Sequence, residues 1–600
     1  MCGITGICNF FNGVEGFSNF NKMLDAIHHR GPNEEGVFTS EYVKFGMRRL
    51  SIIDISNGSQ PMYSENGRYS IVYNGEIYNY IELKEDLENK GCNFKTNSDT
   101  EVVLKSFELY GVESFLKFNG MFALAIWDNE TEQLILARDR FGKKPLHYMV
   151  YNDTFYFGSE IKSIIVNNNI PREVSHKALD LLLTYNYVPY PYTLFKNIYK
   201  IPPGSYLIFN KGGFKITSYY DLKVQVNQAI KNAKQIDEEV IINDVKNLLS
   251  NAVKIRLRSE VPVGAFLSGG VDSSLISCIM KENTDFKTFS IGFAEEKFNE
   301  LQYSQFVADS LNTDHYTRIV KSKSIKDLPN VIWHTDQPHG DVSFLPYGEV
   351  AKLASEYVKV VLTGDGADET FGGYDKYKDL LDLDEGWEEN FFEKNAVFDK
   401  EMKKEIYCND FRNGINLNFA YEEFKNRIDG IEGDSIQKVL FTEIDLLLEG
   451  NNLEKPDRMT MAHSVEARSP FMDYRLVEYA FSIPTDIKFK NNRQKSVLKK
   501  ILEEYLPYKF VNREKSMFTV PIGEWFKGEL QEFIRDILTS KKFENRGFFN
   551  QSFVKAMLDD HISGKQNYTR QLRLLLIIEL WFRIFIDESY ESAPSLEQLN

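Results

Sequence analysis

Residues 265–275 read AFLSGGVDSSL. The apolar run VPVGAF leads into this stretch, and Leu275, Ile276 and Ile279 fall on one face of a helical pattern after it, so it reads as strand, glycine turn and helix. Gly269 and Gly270 lack the Cβ atoms that would keep an anion away from backbone N–H groups. Ser268, Ser273 and Ser274 add hydroxyl donors at the helix N-terminus, where the helix dipole also favours negative charge. Asp272 would repel bound phosphates unless a divalent cation lay between, so it points to Mg²⁺. A bare Gly-Gly pair is most simply a turn; the S-G-G-x-D-S run between strand and helix is more specific.

Working outward, two more apolar strands end in glycine, FKTFSIGF (286–293) and VKVVLTGDGADE (358–369). Helical patterns such as SLISCIMKE (274–282) and YSQFVADSLN (303–312) separate them. This alternation predicts a parallel α/β sheet. Ligands of such sheets sit at the carboxyl ends of the strands. Asp365, Asp368 and Glu369, interleaved with Gly364 and Gly366, are therefore expected to face the same crevice as the first loop.

The first 215 residues have another texture. RYSIVYNGEIYNY (68–80), GMFALAIWD (120–128), QLILARD (133–139), TFYFGSE (154–160) and GSYLIFN (204–210) are short β-type runs between turns, which predict packed antiparallel sheets. ELKEDLENKGC (82–92) is helical, with Leu83 and Leu87 on its apolar stripe and Gly91 as its stop. The text turns polar and helical over 221–245, so two domains are expected, 1–215 and 216–600. From about residue 380 the pattern is almost wholly helical.

The 600 residues carry a formal charge of −16, with 42% hydrophobic and 26% charged residues. That is a globular composition, and the acidic balance disfavours nucleic acid as a partner. The five cysteines form no CxxC pair, which suits a reducing cytoplasm. No apolar run is long enough to span a bilayer, and the N-terminus lacks the pattern of a signal peptide. No Walker-type GxxxxGK[ST] occurs.

The chain begins MCGI and continues with HHRGPNEEG (28–36), RRLSIID (48–54), YNGEIYNY (73–80), SDTEVVL (98–104), NGMFALAIWD (119–128) and RDRFGKKPL (138–146). These resemble the class II glutamine amidotransferase domain of glutamine-hydrolysing asparagine synthetases. SGGVDSS resembles the pyrophosphate loop of ATP pyrophosphatases. TGDGADETFGGY, DRMTMAHSVEARSPFMD (457–473) and KFVNREKSMFTVPIGEWF (509–526) continue the resemblance in family order.

The resemblance implies an N-terminal Ntn-hydrolase αββα sandwich. It also implies a C-terminal parallel α/β sheet of the adenine nucleotide alpha hydrolase type with a helical extension. With Met1 removed, the α-amine of Cys2 serves as base for its own thiol, an amine titrating near pH 8 being suited to the task. Asn74 and the Gly75 N–H hold the oxyanion, and Arg49, Glu76 and Asp99 bind glutamine. In the synthetase half, Leu267, Ser268, Gly269, Gly270, Asp272, Ser273, Ile291, Thr363 and Gly364 match the ATP site. Asp272 and Asp368 match the Mg²⁺ ligands, and Lys515 matches the lysine that stabilises phosphate charge. Asp365 stands where the family carries Glu as a candidate base. A homodimer is implied as well.

The chain departs from the family pattern at Asn33 and Met517, and in HTDQPHGDVSFLPY (334–347), where an acid-plus-Arg-Ala-Ser pattern associated with the aspartate acceptor is absent. Three readings follow: synthesis of asparagine from aspartate, glutamine and ATP; the same chemistry on another carboxylate, such as a uronic or natural-product acid; or a non-catalytic regulatory relative.

Overall fold

The computed structural model describes residues 2–233, 237–381, 386–513, 520–588 and 590–599. Twelve of its strands belong to the N-terminal half: β1 (Cys2–Cys8), β2 (Glu34–Thr39), β3 (Val43–Arg49), β4 (Met62–Tyr63), β5 (Tyr69–Ile77), β6 (Gly120–Asp128), β7 (Gln133–Arg138), β8 (His147–Tyr151), β9 (Thr154–Gly158), β10 (Tyr199–Lys200), β11 (Ser205–Asn210) and β12 (Gly213–Ser218). Among the described residues they form two six-stranded antiparallel sheets, ordered β10-β8-β9-β1-β3-β2 and β12-β11-β7-β6-β5-β4. β12 is an edge strand that begins before the expected division at residue 215 and ends after it.

The two sheets lie face to face. Because side chains alternate along a strand, Cys2, Ile4 and Cys8 of β1 pack with Val72, Ala123, Ala125 and Trp127 of the other sheet. The odd-numbered Ile7 joins Phe20 and Leu24 on the outer side instead. The second sheet is covered on its far side by α1 (Tyr80–Asn89) and α2 (Asp99–Tyr110), through Val103, Leu104 and Phe107. The result is the four-layer helix, sheet, sheet, helix arrangement that the resemblance implies.

Beyond the polar helical connection, β13 (Val263–Phe266), β14 (Lys287–Phe293), β15 (Asp314–Val320), β16 (Val360–Leu362) and β17 (Glu466–Arg468) form a parallel sheet ordered β15-β14-β13-β16-β17. The strand order reverses at β13, between β14 and β16, and this switch point is where a ligand crevice opens. α3 (Val271–Lys281) follows β13, and α4 (Phe344–Ser355), α5 (Glu454–Met461) and α6 (Ser496–Leu502) pack around the sheet. The helical character expected after residue 380 holds apart from β17, the sheet's last strand.

The halves are joined by buried charge. Arg30, Arg138, Lys144, Lys162 and Lys200 of the first half meet Asp336, Glu449, Glu454 and Asp457 of the second. Glu160 and Arg458 cross the pattern, and Arg458 contacts Asp336 at 3.2 Å, Glu160 at 3.4 Å and Glu454 at 3.3 Å. Charges taken from water are tolerated only when paired and hydrogen-bonded in this way.

Candidate functional site

Two sites emerge, one in each half. At the first, β1 and β3 pair in a register that sets Cys2 opposite Arg49. The backbone N–H of Cys2 donates to Asn74 Oδ1 at 3.1 Å. Burial pushes the Cys2 thiol up, while the Leu50 backbone and the Arg49 charge act against it. Asn74, Gly75 and Glu76 are consecutive on β5, so Asn74 and Glu76 project from the same face. Asn74 Nδ2 is buried without a hydrogen-bond partner, as is Glu76 Oε1. A buried amide donor with no acceptor, beside a thiol, has the chemistry of an oxyanion holder.

Asp99 opens α2, and its Oδ2 accepts from the Tyr73 hydroxyl at 2.9 Å and the Ile77 N–H at 3.1 Å. Burial raises both Asp99 and Glu76, and Arg468 opposes the rise at Glu76. Arg49 is buried, and its guanidinium is already engaged. Nη1 meets Glu34 Oε1 at 2.6 Å and the Ile55 carbonyl at 3.2 Å; Nη2 donates to the carbonyls of Ile53 at 3.1 Å and Asp54 at 2.9 Å. Ser51 Oγ at 3.1 Å and Ser59 Oγ at 2.9 Å also donate to the Glu34 carboxylate. Glu34, next to the noted departure at Asn33, was not among the expected site residues.

At the second site the phosphate loop is held by its own serines. The Ser268 N–H donates to Ser273 Oγ at 3.1 Å, and the Gly270 N–H donates to Ser268 Oγ at 3.2 Å. Arg513 Nη2 donates to the Gly269 carbonyl at 2.7 Å. Leu267, Ser268 and Ile291 line a cavity of about 170 Å³ together with Phe266, Tyr347 and Lys455. Thr363 and Gly364 continue from β16, and a Cβ on Gly364 would stand 2.9 Å from that of Asp272, so the acidic strand end lies hard against the phosphate loop.

Lys495, which sequence reasoning missed, closes this site. Its Nζ lies 2.6 Å from Asp272 Oδ2 and 2.7 Å from Asp368 Oδ1. Burial acts to lower its pKa, but the two carboxylates hold it above the usual lysine range. It precedes α6 with φ +52°, an unusual backbone setting for a lysine. Gly373 sits so near that a Cβ there would meet Asp368 Oδ1 at 1.8 Å and Lys495 Cε at 2.1 Å. Two convergent carboxylates beside a phosphate loop fit Mg²⁺, which takes one or two protein carboxylates and completes its shell with phosphate oxygens and water. Among the described residues, no group of three or more metal-ligating side chains occurs.

Asp365 is half-buried and accepts from the Tyr347 hydroxyl at 2.9 Å. Burial raises its pKa against the pull of Lys455. Glu369 is raised to about 7 by burial and the neighbouring Asp368 charge. The 334–347 stretch divides its contacts. Asp336 faces the domain junction, contacting Lys162 at 2.7 Å and Arg458 at 3.2 Å. Gln337 accepts the Leu194 N–H at 2.9 Å. Ser343 lines the cavity, and Lys455 Nζ, also on its wall, lies 3.0 Å from Ser343 Oγ and 3.3 Å from Asp341 Oδ2. Lys515 and Met517 lie outside the described residues.

Residues 1–220 match the glutamine amidotransferase domain family, and residues 244–583 match the asparagine synthase family. The chain is 34% identical to glutamine-hydrolyzing asparagine synthetase 1 of Bacillus subtilis, covering 98% of both proteins. It is 33% identical to asparagine synthetase 3 of the same organism, covering 88% of this chain and 89% of that one. A putative asparagine synthetase of Methanocaldococcus jannaschii shares 38% identity over 71% of this chain and 84% of its own length.

Proposed function

This chain belongs to the glutamine-hydrolysing asparagine synthetase family, and we propose that it makes asparagine from aspartate, with glutamine as nitrogen donor and ATP as the source of activation. Cys2 lies against Asn74 in the half that matches the amidotransferase, and Asp272, Asp368 and Lys495 converge in the half that matches the synthase. That pairing of a thiol site with a phosphate site in one chain is the observation that carries the reading. It also sets aside a non-catalytic role, since both chemistries retain their side chains.

With Met1 removed, the Cys2 nitrogen is an α-amine oriented by Asn74 Oδ1 and takes the thiol proton. The thiolate attacks the side-chain amide of glutamine, and the oxyanion is received by Asn74 Nδ2 and the Gly75 N–H. Ammonia leaves and water releases glutamate. Asp99 and Glu76 suit the α-ammonium of glutamine and Arg49 its α-carboxylate, which on arrival takes the place of Glu34.

In the second half, Leu267 and Ile291 hold the nucleoside, and the loop from Ser268 to Ser273, with Thr363 and Gly364, receives its phosphates. The aspartate β-carboxylate attacks the α-phosphate, pyrophosphate departs, and ammonia displaces AMP. Asp272 and Asp368 would hold Mg²⁺, which when bound would supply neutralising charge to the pyrophosphate. Lys495 adds a fixed positive charge at the same point, Lys515 is proposed to contribute another, and Asp365 is proposed as a base.

Two domains are kept as the proposal, with the first extended from residue 215 to residue 218 so that it includes the whole of β12. A homodimer and a cytoplasmic location are proposed with it. No helix among the described residues is long and apolar enough to cross a membrane.

The decisive experiment supplies purified protein with glutamine, Mg-ATP and aspartate and measures asparagine, AMP and pyrophosphate. Equimolar formation of all three is expected. Glutamine hydrolysis without aspartate-dependent pyrophosphate release would exclude aspartate as the acceptor. The same mixture with Cys2→Ala protein should lose glutamine-supported synthesis and keep synthesis from added ammonia.

A further inference from the structure

The glutamine pocket is not built by the first domain alone. β17 belongs to the synthetase sheet, yet the side chain of Arg468 at its end crosses the domain junction. Its Nη2 donates to Glu76 Oε2 at 3.2 Å, its Nε to Glu466 Oε1 at 2.5 Å, and its Nη1 to the carbonyls of Arg256 at 2.7 Å and Arg258 at 2.6 Å. The guanidinium is wholly buried, with its Nε and Nη1 held by parts of the second domain, so it is a fixed point against which Glu76 is set. It is the basic side chain that the structure pairs with Glu76.

What this fixes is the direction of the other oxygen. Glu76 Oε1 is buried with no partner, and so is Asn74 Nδ2 two residues earlier on the same face. Along a strand, alternate residues stand about 7 Å apart. The side-chain carbonyl and α-amine of an extended glutamine are separated by a similar span. One unpartnered atom is a donor, as an oxyanion requires, and the other an acceptor, as an ammonium requires.

We propose that Arg468 is a positioning residue for glutamine lent by the synthetase domain: by holding Glu76 Oε2 it leaves Oε1 aimed at the substrate α-ammonium. This rests on reading the first site as a glutaminase. The backbone of the same residue serves the other site. The Arg468 carbonyl accepts the Thr363 N–H at 3.0 Å, directly before Gly364 and Asp365, and Ser469 Oγ lies 3.2 Å from Thr363 Oγ1. One residue therefore touches the glutamine pocket through its side chain and the phosphate-binding strand end through its main chain.

The test uses the full chain. Arg468→Gln should raise KM for glutamine about tenfold or more, with kcat for glutamate release changed less than about threefold, because the lost contact is made to the bound substrate throughout. Arg468→Lys should recover part of that loss. In a Glu76→Gln background, Arg468→Gln should shift KM less than about twofold, as expected of two residues acting through one contact. Should Arg468→Gln fail to fold, the same comparison is made with Arg468→Lys. Additive effects of the two substitutions, or an unchanged KM, would overturn the proposal. If the unmodified protein released no glutamate from glutamine, the glutaminase reading itself would fall.

Discussion

Lys495 donates to Asp272 across 223 positions of sequence, at 2.6 Å. A lysine from the helical extension thus meets the acid of the phosphate loop, and Asp368 joins them at 2.7 Å. The two carboxylates and the ammonium make a preformed charge cluster at the place proposed for pyrophosphate departure. Fixed charge aimed at developing charge is the most effective way to lower such a barrier.

Lys495→Ala should therefore lower pyrophosphate release by about 100-fold or more, with glutamine or with added ammonia, because the charge is lost from the transition state. Glutamate release from glutamine should continue. Parallel assays of pyrophosphate and glutamate check this, and equal loss of both products would refute it.

The pH dependence should differ between nitrogen donors. Burial raises the Cys2 thiol, so at neutral pH it stays protonated and needs an acceptor for its proton. With the α-amine as that acceptor, titrating near pH 8, kcat/KM for glutamine should rise through neutrality and level off above about pH 8. Synthesis from ammonia, corrected for the fraction present as NH₃, should lack this limb. Initial rates between pH 6 and about 9 separate the two cases.

Glu34 holds Arg49 through a 2.6 Å contact, and under the proposed role of Arg49 the glutamine α-carboxylate displaces it. Glu34→Gln weakens that competition, so KM for glutamine should fall by about threefold, the scale of one partly exposed ion pair. Steady-state glutamate release measures it; a rise in KM would mean that Glu34 orients Arg49 rather than competing for it.

Arg458 meets Asp336, Glu160 and Glu454 at the domain junction with no exposure to solvent. Arg458→Met leaves three acids without this partner and should cost about 3–5 kcal/mol of stability. Thermal unfolding followed at pH 7 would show it as a lowered midpoint, and an unchanged midpoint would contradict the assignment.

Much of this was legible in the sequence. Glycine-ended apolar strands alternating with helical runs announced the parallel sheet, because strand burial on both faces leaves long apolar stretches. The loop with Asp272 and the NGE run on β5 stood out because their residue types are unusual for their setting. β17 did not, since Glu466-Ala467-Arg468 has only three residues, two of them charged, too short a run for its alternation to register. Its strand identity comes from pairing with β16, a contact made across more than 100 residues of intervening chain. Lys495 was hidden for a related reason. QKSVLKK looks like the polar start of a surface helix, and only the fold brings its first lysine to two acids. The departure over 334–347 gave no hint of which of its residues face the second site: Ser343 and Tyr347 line the cavity, while Asp336 and Gln337 are committed to the first domain.

The buried charges at the junction bear on how such a chain can be recombined. The first half contributes mostly cations and the second mostly acids, so each surface is a template for the other. A hybrid that takes its glutaminase from one relative and its synthetase from another must inherit both rows from matching parents. The same complementarity would let the two halves, made as separate polypeptides, find each other quickly in dilute salt and slowly in concentrated salt.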